Sequence, residues 1–250
     1  ALGDYGSTAR PETLAVNRMR TGSGPNSDVA RLRGARFVNM PEPGKGMELD
    51  AALVKSLTGR DPMLARFMHK DFFEFVPQFV LFLNTNYLPR IDDMTLFSSG
   101  RIFCIPFPVH FSPDKQDTGL LEQFVTPDAT SAIFNWIYDG YILYLQEGLK
   151  SNVPGVVLAA TQDYSDNSDT FGRFLHESIE PCENNWVGTM DISRVYAEWA
   201  NDNVHHAMSN KNMVAEMKQR GYKSKQHHQT RRSGFIDIVL IIDLPEGFRR

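Results

Sequence analysis

Apolar residues along the 250-residue chain gather into a few patterned stretches separated by polar turns. Residues 79–83 (FVLFL) form an apolar run of five, short and aromatic enough for a fully buried strand. The run breaks abruptly into Asn84-Thr85-Asn86, and Pro89 closes the turn. Two more stretches read as buried strands. Residues 35–40 (ARFVNM) end in Pro41-Glu42-Pro43-Gly44, and residues 101–107 (RIFCIPF) begin with an arginine. Residues 48–58 place apolar side chains at 49, 53, 54 and 57, the spacing of an amphipathic helix, with Gly59 at its C-terminal cap. Residues 60–76 predict a hairpin, with DPMLARFM and FFEFV as strands joined through His69-Lys70-Asp71. Upstream, Asn26 or Ser27 is placed to cap a short helix through Leu32.

From residue 113 to 179 the pattern turns helical. Residues 132–149 predict one long helix whose aromatics at 134, 138 and 141 belong in a core, and residues 154–164 and 169–179 predict further helices. Residues 192–203 and 210–222 repeat the helical pattern, the second stopping near Gly221. A polar, basic link then leads into a strand over 234–242. Helix, helix, then hairpin is the order of a winged helix.

Hydrophobic content of 42% and charged content of 22% are globular values. The net charge of −4 conceals three blocks. Residues 1–110 carry 13 Lys+Arg against 11 Asp+Glu, residues 111–204 carry 4 against 15, and residues 205–250 carry 9 against 4. Three blocks of different sign predict three structural pieces. The two cysteines, Cys104 and Cys182, point to a reducing compartment without a disulfide framework. No apolar stretch has the length of a membrane span and no signal peptide opens the chain, so a cytoplasmic protein is expected. His205-His206 and His227-His228 lack metal-ligand spacing and are read as non-metal.

Candidate chemistry collects at the ends of the three apolar strands: the carboxylate Glu42, the amide Asn86 and the guanidinium Arg101. Open α/β sheets bind ligands at the carboxyl ends of their strands. An acid that orients metal and water, a polar sensor and a charge-offsetting arginine are what a P-loop nucleoside-triphosphatase needs after its phosphate loop. Each residue also has a plainer reading. Glu42 fits an exposed turn, Asn86 an ordinary polar turn, and Arg101 a strand end paired with Asp92 or Asp93.

The string GARFVNMPEPGKGMELDAALVKSLTGRDPMLARFMHKDFFEFVPQFVLFLNTNYLP, followed by GRIFCIPF, resembles the superfamily-3 helicase domain of phage, plasmid and poxvirus primase-helicases. The resemblance is close over residues 1–110 and loose beyond. It implies an α/β fold: a partial P-loop NTPase (AAA+-like) core over residues 1–112, a helical collar or lid over 113–180, and a winged-helix-like DNA-binding domain over 181–250. It implies ATP and Mg2+ as cofactors, single-stranded DNA as partner, and a homo-oligomeric ring, hexameric by analogy. Glu42 is then the acid that polarises the attacking water or supports magnesium. Asn86 is the sensor, with Asn84 as a substitute, and Arg101 is a finger acting in trans, with Arg90 as a second candidate. Arg66, His69 and Lys70 match a hairpin that grips nucleic-acid phosphates, and Lys55 supports that hairpin or the phosphates. Lys223, Lys225, Arg231 and Arg232 lie in a stretch, 218–232, with six Lys+Arg and no acid, and are expected along a wing.

Two departures stand out. Many relatives carry two adjacent acids where this chain has only Glu42 between two prolines. The phosphate loop is also missing, since Gly44-Lys45-Gly46, the only Gly-Lys pair, lacks the earlier glycine and the hydroxyl residue. The family places that loop upstream, so the chain is expected to be the C-terminal part of a longer helicase and inactive as an ATPase alone. Two other readings suit the same residues: a non-catalytic DNA-binding or origin-recognition module, and a winged-helix regulator with an unrelated α/β partner.

Overall fold

Three short parallel strands organise the first half of the chain. The computed structural model describes residues 2–17, 26–203 and 207–241, folded as two units, Ala1–Ser168 and Asp169–Arg250. In chain order the first unit contains β1 (Gly6–Thr8), α1 (Ser27–Ala30), β2 (Phe37–Met40), α2 (Ala51–Thr58), β3 (Met63–Ala65), β4 (Phe73–Phe75) and β5 (Val80–Leu83). Helices α3 (Thr95–Ser98), α4 (Leu120–Phe124), α5 (Pro127–Glu147) and α6 (Gly155–Ser168) follow. The sheet order is β1-β2-β5, with Gly6 opposite Phe37, Phe37 opposite Val80 and Met40 opposite Leu83. Parallel neighbours need crossover connections, and here α2 with the β3–β4 hairpin makes the crossover from β2 to β5. The fold is thus mixed α/β with a parallel sheet.

Local sequence explains most of these elements. Asp50 caps α2 by accepting a hydrogen bond from the Leu53 amide at 3.0 Å. Val54 and Leu57 on one face of α2 are buried with Val38, Met40, Ile91 and Leu96 in the core of the unit. The hairpin pairs Met63 with Phe75 and Ala65 with Phe73. Helix α1 is shorter than the expected stretch through Leu32, and Asn26 does not cap it with its side chain. The Asn26 amide instead spans to the hairpin, donating to the Leu64 carbonyl at 3.3 Å and accepting from the Arg66 amide at 3.0 Å.

Three expectations need correction. Strand β5 is not buried on both faces: Val80 and Phe82 are exposed while Leu81 and Leu83 are half-buried, the alternation of a strand covered on one side. Residues 101–107 form no strand. Pro106 has no N–H to give a ladder, the Cys104 amide bonds the Thr161 hydroxyl on α6 at 2.9 Å, and Phe107 is 91% exposed. Phe134, Tyr138 and Tyr141 on α5 are not core residues; each is more than half exposed. Helix α5 is apolar on most of its faces, and the described residues half-bury only Ile133, Ile137 and Ile142 among its large apolar side chains.

The second unit runs α7 (Thr170–Ser178), β6 (Ile179–Gly188), α8 (Thr189–Asp202), α9 (Asn210–Gln219), β7 (Ser224–Gln226) and β8 (Ser233–Leu240). Its strands are antiparallel in the order β6-β8-β7. Phe174, Ile192, Met213, Met217 and Phe235 fill its core. The sequence pattern groups α7 with the helical stretch ending at 180, whereas Phe171, Phe174 and Leu175 pack in this second core. Asp169 caps α7 through the Gly172 amide at 2.8 Å and holds Arg220 through two bonds of 2.7 and 2.8 Å. Partial burial raises the Asp169 carboxyl, but the bonds from Arg220 and Gly172 outweigh it and hold the group below the usual carboxylate range. Among the described residues no helix is long and apolar enough to cross a membrane.

Candidate functional site

Strands β2 and β5 lie side by side and point the same way, so their carboxyl ends open at one edge of the sheet. Met40 and Leu83 are the last paired positions; Glu42 follows β2 by two residues and Asn86 follows β5 by three. That register brings the two together. The Asn86 Nδ2 donates to Glu42 Oε1 at 2.9 Å, and the Asn86 backbone N–H reaches the same oxygen at 3.4 Å. Both residues are exposed, so the pair faces open space. Beneath it Asn84 Nδ2 donates to Asn39 Oδ1 at 2.6 Å, tying the two strand ends together. The Thr85 hydroxyl donates to the Tyr87 carbonyl and accepts from the Tyr87 amide, which tightens the turn. The Lys45 ammonium lies 5.2 Å from the Tyr87 ring centroid.

Sequence reasoning missed Asn39, Tyr87 and Lys45 at this edge, while Thr85 lies in the polar break after residue 83 that it marked. A polar Asn39 inside an otherwise apolar strand was the signal available for the first. Lys45 and Tyr87 carry no sequence signal of their own, because only the parallel pairing brings residues 45 and 87 together.

Arg101 is exposed and bonded within its own chain. Its Nη1 donates to Thr58 Oγ1 at 2.9 Å and to the Lys55 carbonyl at 3.3 Å, so it caps the C-terminus of α2 rather than pairing with Asp92 or Asp93. Asp93 instead takes Lys55, at 2.6 Å, together with the Thr95 hydroxyl and amide. Burial raises the Asp93 carboxyl, but these bonds more than offset that and leave it below its ordinary value. The Lys55 ammonium is therefore engaged with Asp93, and Arg101 and Lys55 meet at the end of one helix. Arg90 has an exposed side chain and a backbone bonded to Met47 and Leu49.

At the hairpin, His69 and Lys70 are exposed at the tip, while the Arg66 guanidinium lies over the Phe72 ring at 4.6 Å. In the second unit, Lys225, Arg231 and Arg232 are exposed around the β7–β8 hairpin, and the Lys223 ammonium is 3.9 Å from Asp237. Trp186 braces that hairpin from β6 through a bond to the Lys225 carbonyl, with the His227 ring against its own. His205 and His206 lie outside the described residues. Among the described residues, no three acids, histidines or cysteines converge as a metal cluster.

No family model matches the chain. It is 27% identical over 223 residues to a Frog virus 3 (isolate Goorha) protein named "Putative helicase 022R", covering 82% of this chain and 22% of that protein. It is 25% identical over 209 residues to an Acanthamoeba polyphaga mimivirus protein named "Putative helicase L207/L206", covering 76% and 21% respectively. The chain thus spans about a fifth of the length of the curated relatives it matches. It is a distant relative of helicase-named proteins from large DNA viruses.

Proposed function

We propose that this chain is part of an ATP-dependent replicative DNA helicase of superfamily 3, of the primase-helicase type. In this reading the intact protein forms a homo-oligomeric ring, hexameric by analogy, and translocates on single-stranded DNA. The observation that carries the reading is the Glu42–Asn86 hydrogen bond at the carboxyl ends of adjacent parallel strands. The names of the two viral relatives support it.

The residues present suit one end of an ATP·Mg2+ complex. Magnesium is commonly held by one or two carboxylates together with substrate phosphates, so the single carboxylate Glu42 fits a supporting role and not a complete cage. ATP supplies the phosphoryl bond whose cleavage drives movement. Asn86 holds one oxygen of Glu42, and the other oxygen makes no hydrogen bond among the described residues, which leaves it open to accept from a water. The Asn86 amide has a second N–H, so it can hold Glu42 and meet a phosphate oxygen together. Arg101 is proposed as the finger reaching a neighbouring subunit, with Arg90 as the alternative. His69, Lys70 and Arg66 are proposed to meet single-stranded DNA.

The order helix, strand, helix, helix, hairpin in the second unit supports a winged-helix DNA-binding module with Lys223, Lys225, Arg231 and Arg232 on its wing. The helices after residue 112 are proposed as a collar or lid.

The test is ATP turnover by the intact reading frame, with and without single-stranded DNA, for wild type, Glu42→Gln and Asn86→Ala. Glu42→Gln should lower turnover by at least about a hundredfold, the low end for a positioned base, while nucleotide binding persists. A Glu42→Gln protein as active as wild type overturns the assignment. Absence of DNA-stimulated turnover in the wild type replaces the helicase reading with that of a non-catalytic DNA-binding module. The 250-residue chain alone is expected not to hydrolyse ATP, because no glycine-rich phosphate loop occurs in it.

A further inference from the structure

The apex of the β3–β4 hairpin combines three features that a solvated turn does not need. Apolar side chains stand in solvent there: Met68 is 63% exposed, Phe72 46% and Phe67 38%. His69 sits at φ 58°, a left-handed conformation that glycine adopts freely and other side chains rarely. Strained positions of this kind cluster at functional sites. Finally, the apex is seated and not floppy. The Lys70 amide closes a turn on the Phe67 carbonyl at 3.2 Å, and Asn26 clamps Leu64 and Arg66 from outside the hairpin. Two arginines sit over aromatic rings, Arg66 over Phe72 at 4.6 Å and Arg33 over Phe73 at 5.1 Å from the ring centroids.

Charge alone makes this a poor phosphate site. Within residues 60–76, Arg60, Arg66 and Lys70 are matched one for one by Asp61, Asp71 and Glu74. A strand of nucleic acid held here must gain affinity from something other than net charge, and the exposed apolar surface is what the apex offers. Stacking on aromatic and guanidinium faces tolerates any base, because every base has a π-face.

We propose that the hairpin apex holds single-stranded DNA by base stacking, with Met68 and the Phe72–Arg66 pair as the platform and His69 and Lys70 meeting the flanking phosphates. The proposal rests on the single-stranded DNA reading above and deepens it. It predicts binding that depends on the presence of bases and is indifferent to their identity.

The experiment measures binding of the chain to a short oligothymidylate carrying 2-aminopurine and to an abasic strand of equal length, across a salt series. Wild type should prefer the base-bearing strand roughly tenfold. Met68→Ala combined with Phe72→Leu, which keeps apolar cover beneath Arg66, should bring the two strands close to parity without changing the salt slope. Lys70→Ala should weaken both strands alike and flatten the slope by about 0.7, the value for one phosphate contact on a single strand. Equal wild-type binding of the two strands overturns the stacking proposal and leaves single-strand binding standing. Binding of neither strand refutes single-strand binding by this chain, and the proposal with it. A double variant that changes the oligomeric state and not the strand preference shows the apex to be a protein contact, which also overturns the proposal.

Discussion

Arg101 is where two roles make quantitatively different demands. In the structure its guanidinium caps α2 with one hydrogen bond of 2.9 Å and a longer one of 3.3 Å, both at an exposed side chain. Exposed hydrogen bonds of this kind contribute about 1 kcal/mol net. In a unit of this size that corresponds to a fall in Tm of about 2–4 °C. Lost stabilisation of that order lowers turnover about fivefold even if all of it is felt in the transition state. An arginine finger contributes about a thousandfold to a hundred-thousandfold in turnover, or roughly 4–7 kcal/mol. The two scales do not overlap. Arg101→Ala in the intact reading frame should therefore lose at least about a thousandfold in DNA-stimulated ATP turnover while losing only a few degrees in Tm. Arg101→Lys keeps the charge without the planar fork and should recover little of the activity. Mixing Arg101→Ala with Glu42→Gln subunits should restore part of the turnover, since each variant then contributes its intact half to a shared interface. A loss of fivefold or less, or no recovery on mixing, refutes the finger and leaves Arg101 as the cap of α2, with Arg90 next to be tested.

Two further predictions concern the second unit. Gly234→Ala would drive a Cβ into Trp186 Cε2 and the Val187 carbonyl, well inside van der Waals contact, and the latter belongs to the paired strand and cannot swing away. A loss of about 1–3 kcal/mol is expected in urea unfolding followed by hydrogen exchange within β6 and β8, and an unchanged midpoint would contradict it. Asp169→Ala removes both the cap of α7 and the two-point pairing with Arg220, at about 2–3 kcal/mol. Because the folded Asp169 carboxyl lies below its unfolded value, its contribution is complete above about pH 4 and is lost as pH falls through the lower, folded value. Wild type and variant should converge in stability on acidification, and a gap that widens below pH 4 would show the sign to be wrong.

What the sequence determined by itself was local. The hairpin over 60–76 was legible because its strand-like apolar segments flank a polar turn, and α2 because its apolar spacing ends at Gly59; the capping role of Asp50 came from the structure. The polar ends of the strands at 35–40 and 79–83 were legible as candidate chemistry because a run of apolar residues stops sharply at Glu42 and Asn86. Strand β6 was not legible. Its ten residues include Pro181 and a polar run, and pairing with β8 shifts register between Pro181 and Trp186, so no apolar alternation marks it. Residues 101–107 show the converse: an apolar, β-prone segment does not become a strand without a neighbouring edge to bond, and here its amide at Cys104 bonds a helix instead.

Tertiary structure alone decided which of these polar ends meet. The pairing of Met40 with Leu83 sets Glu42 against Asn86, and a slip of one residue would turn alternate side chains to the opposite face and part them. It likewise decided that Arg101 closes α2 and that Lys55 is held by Asp93, because those contacts join residues 38 to 46 positions apart whose pairing no local pattern encodes. Local pattern selects the element each residue occupies; the register between elements, set by the packed core, selects its partner.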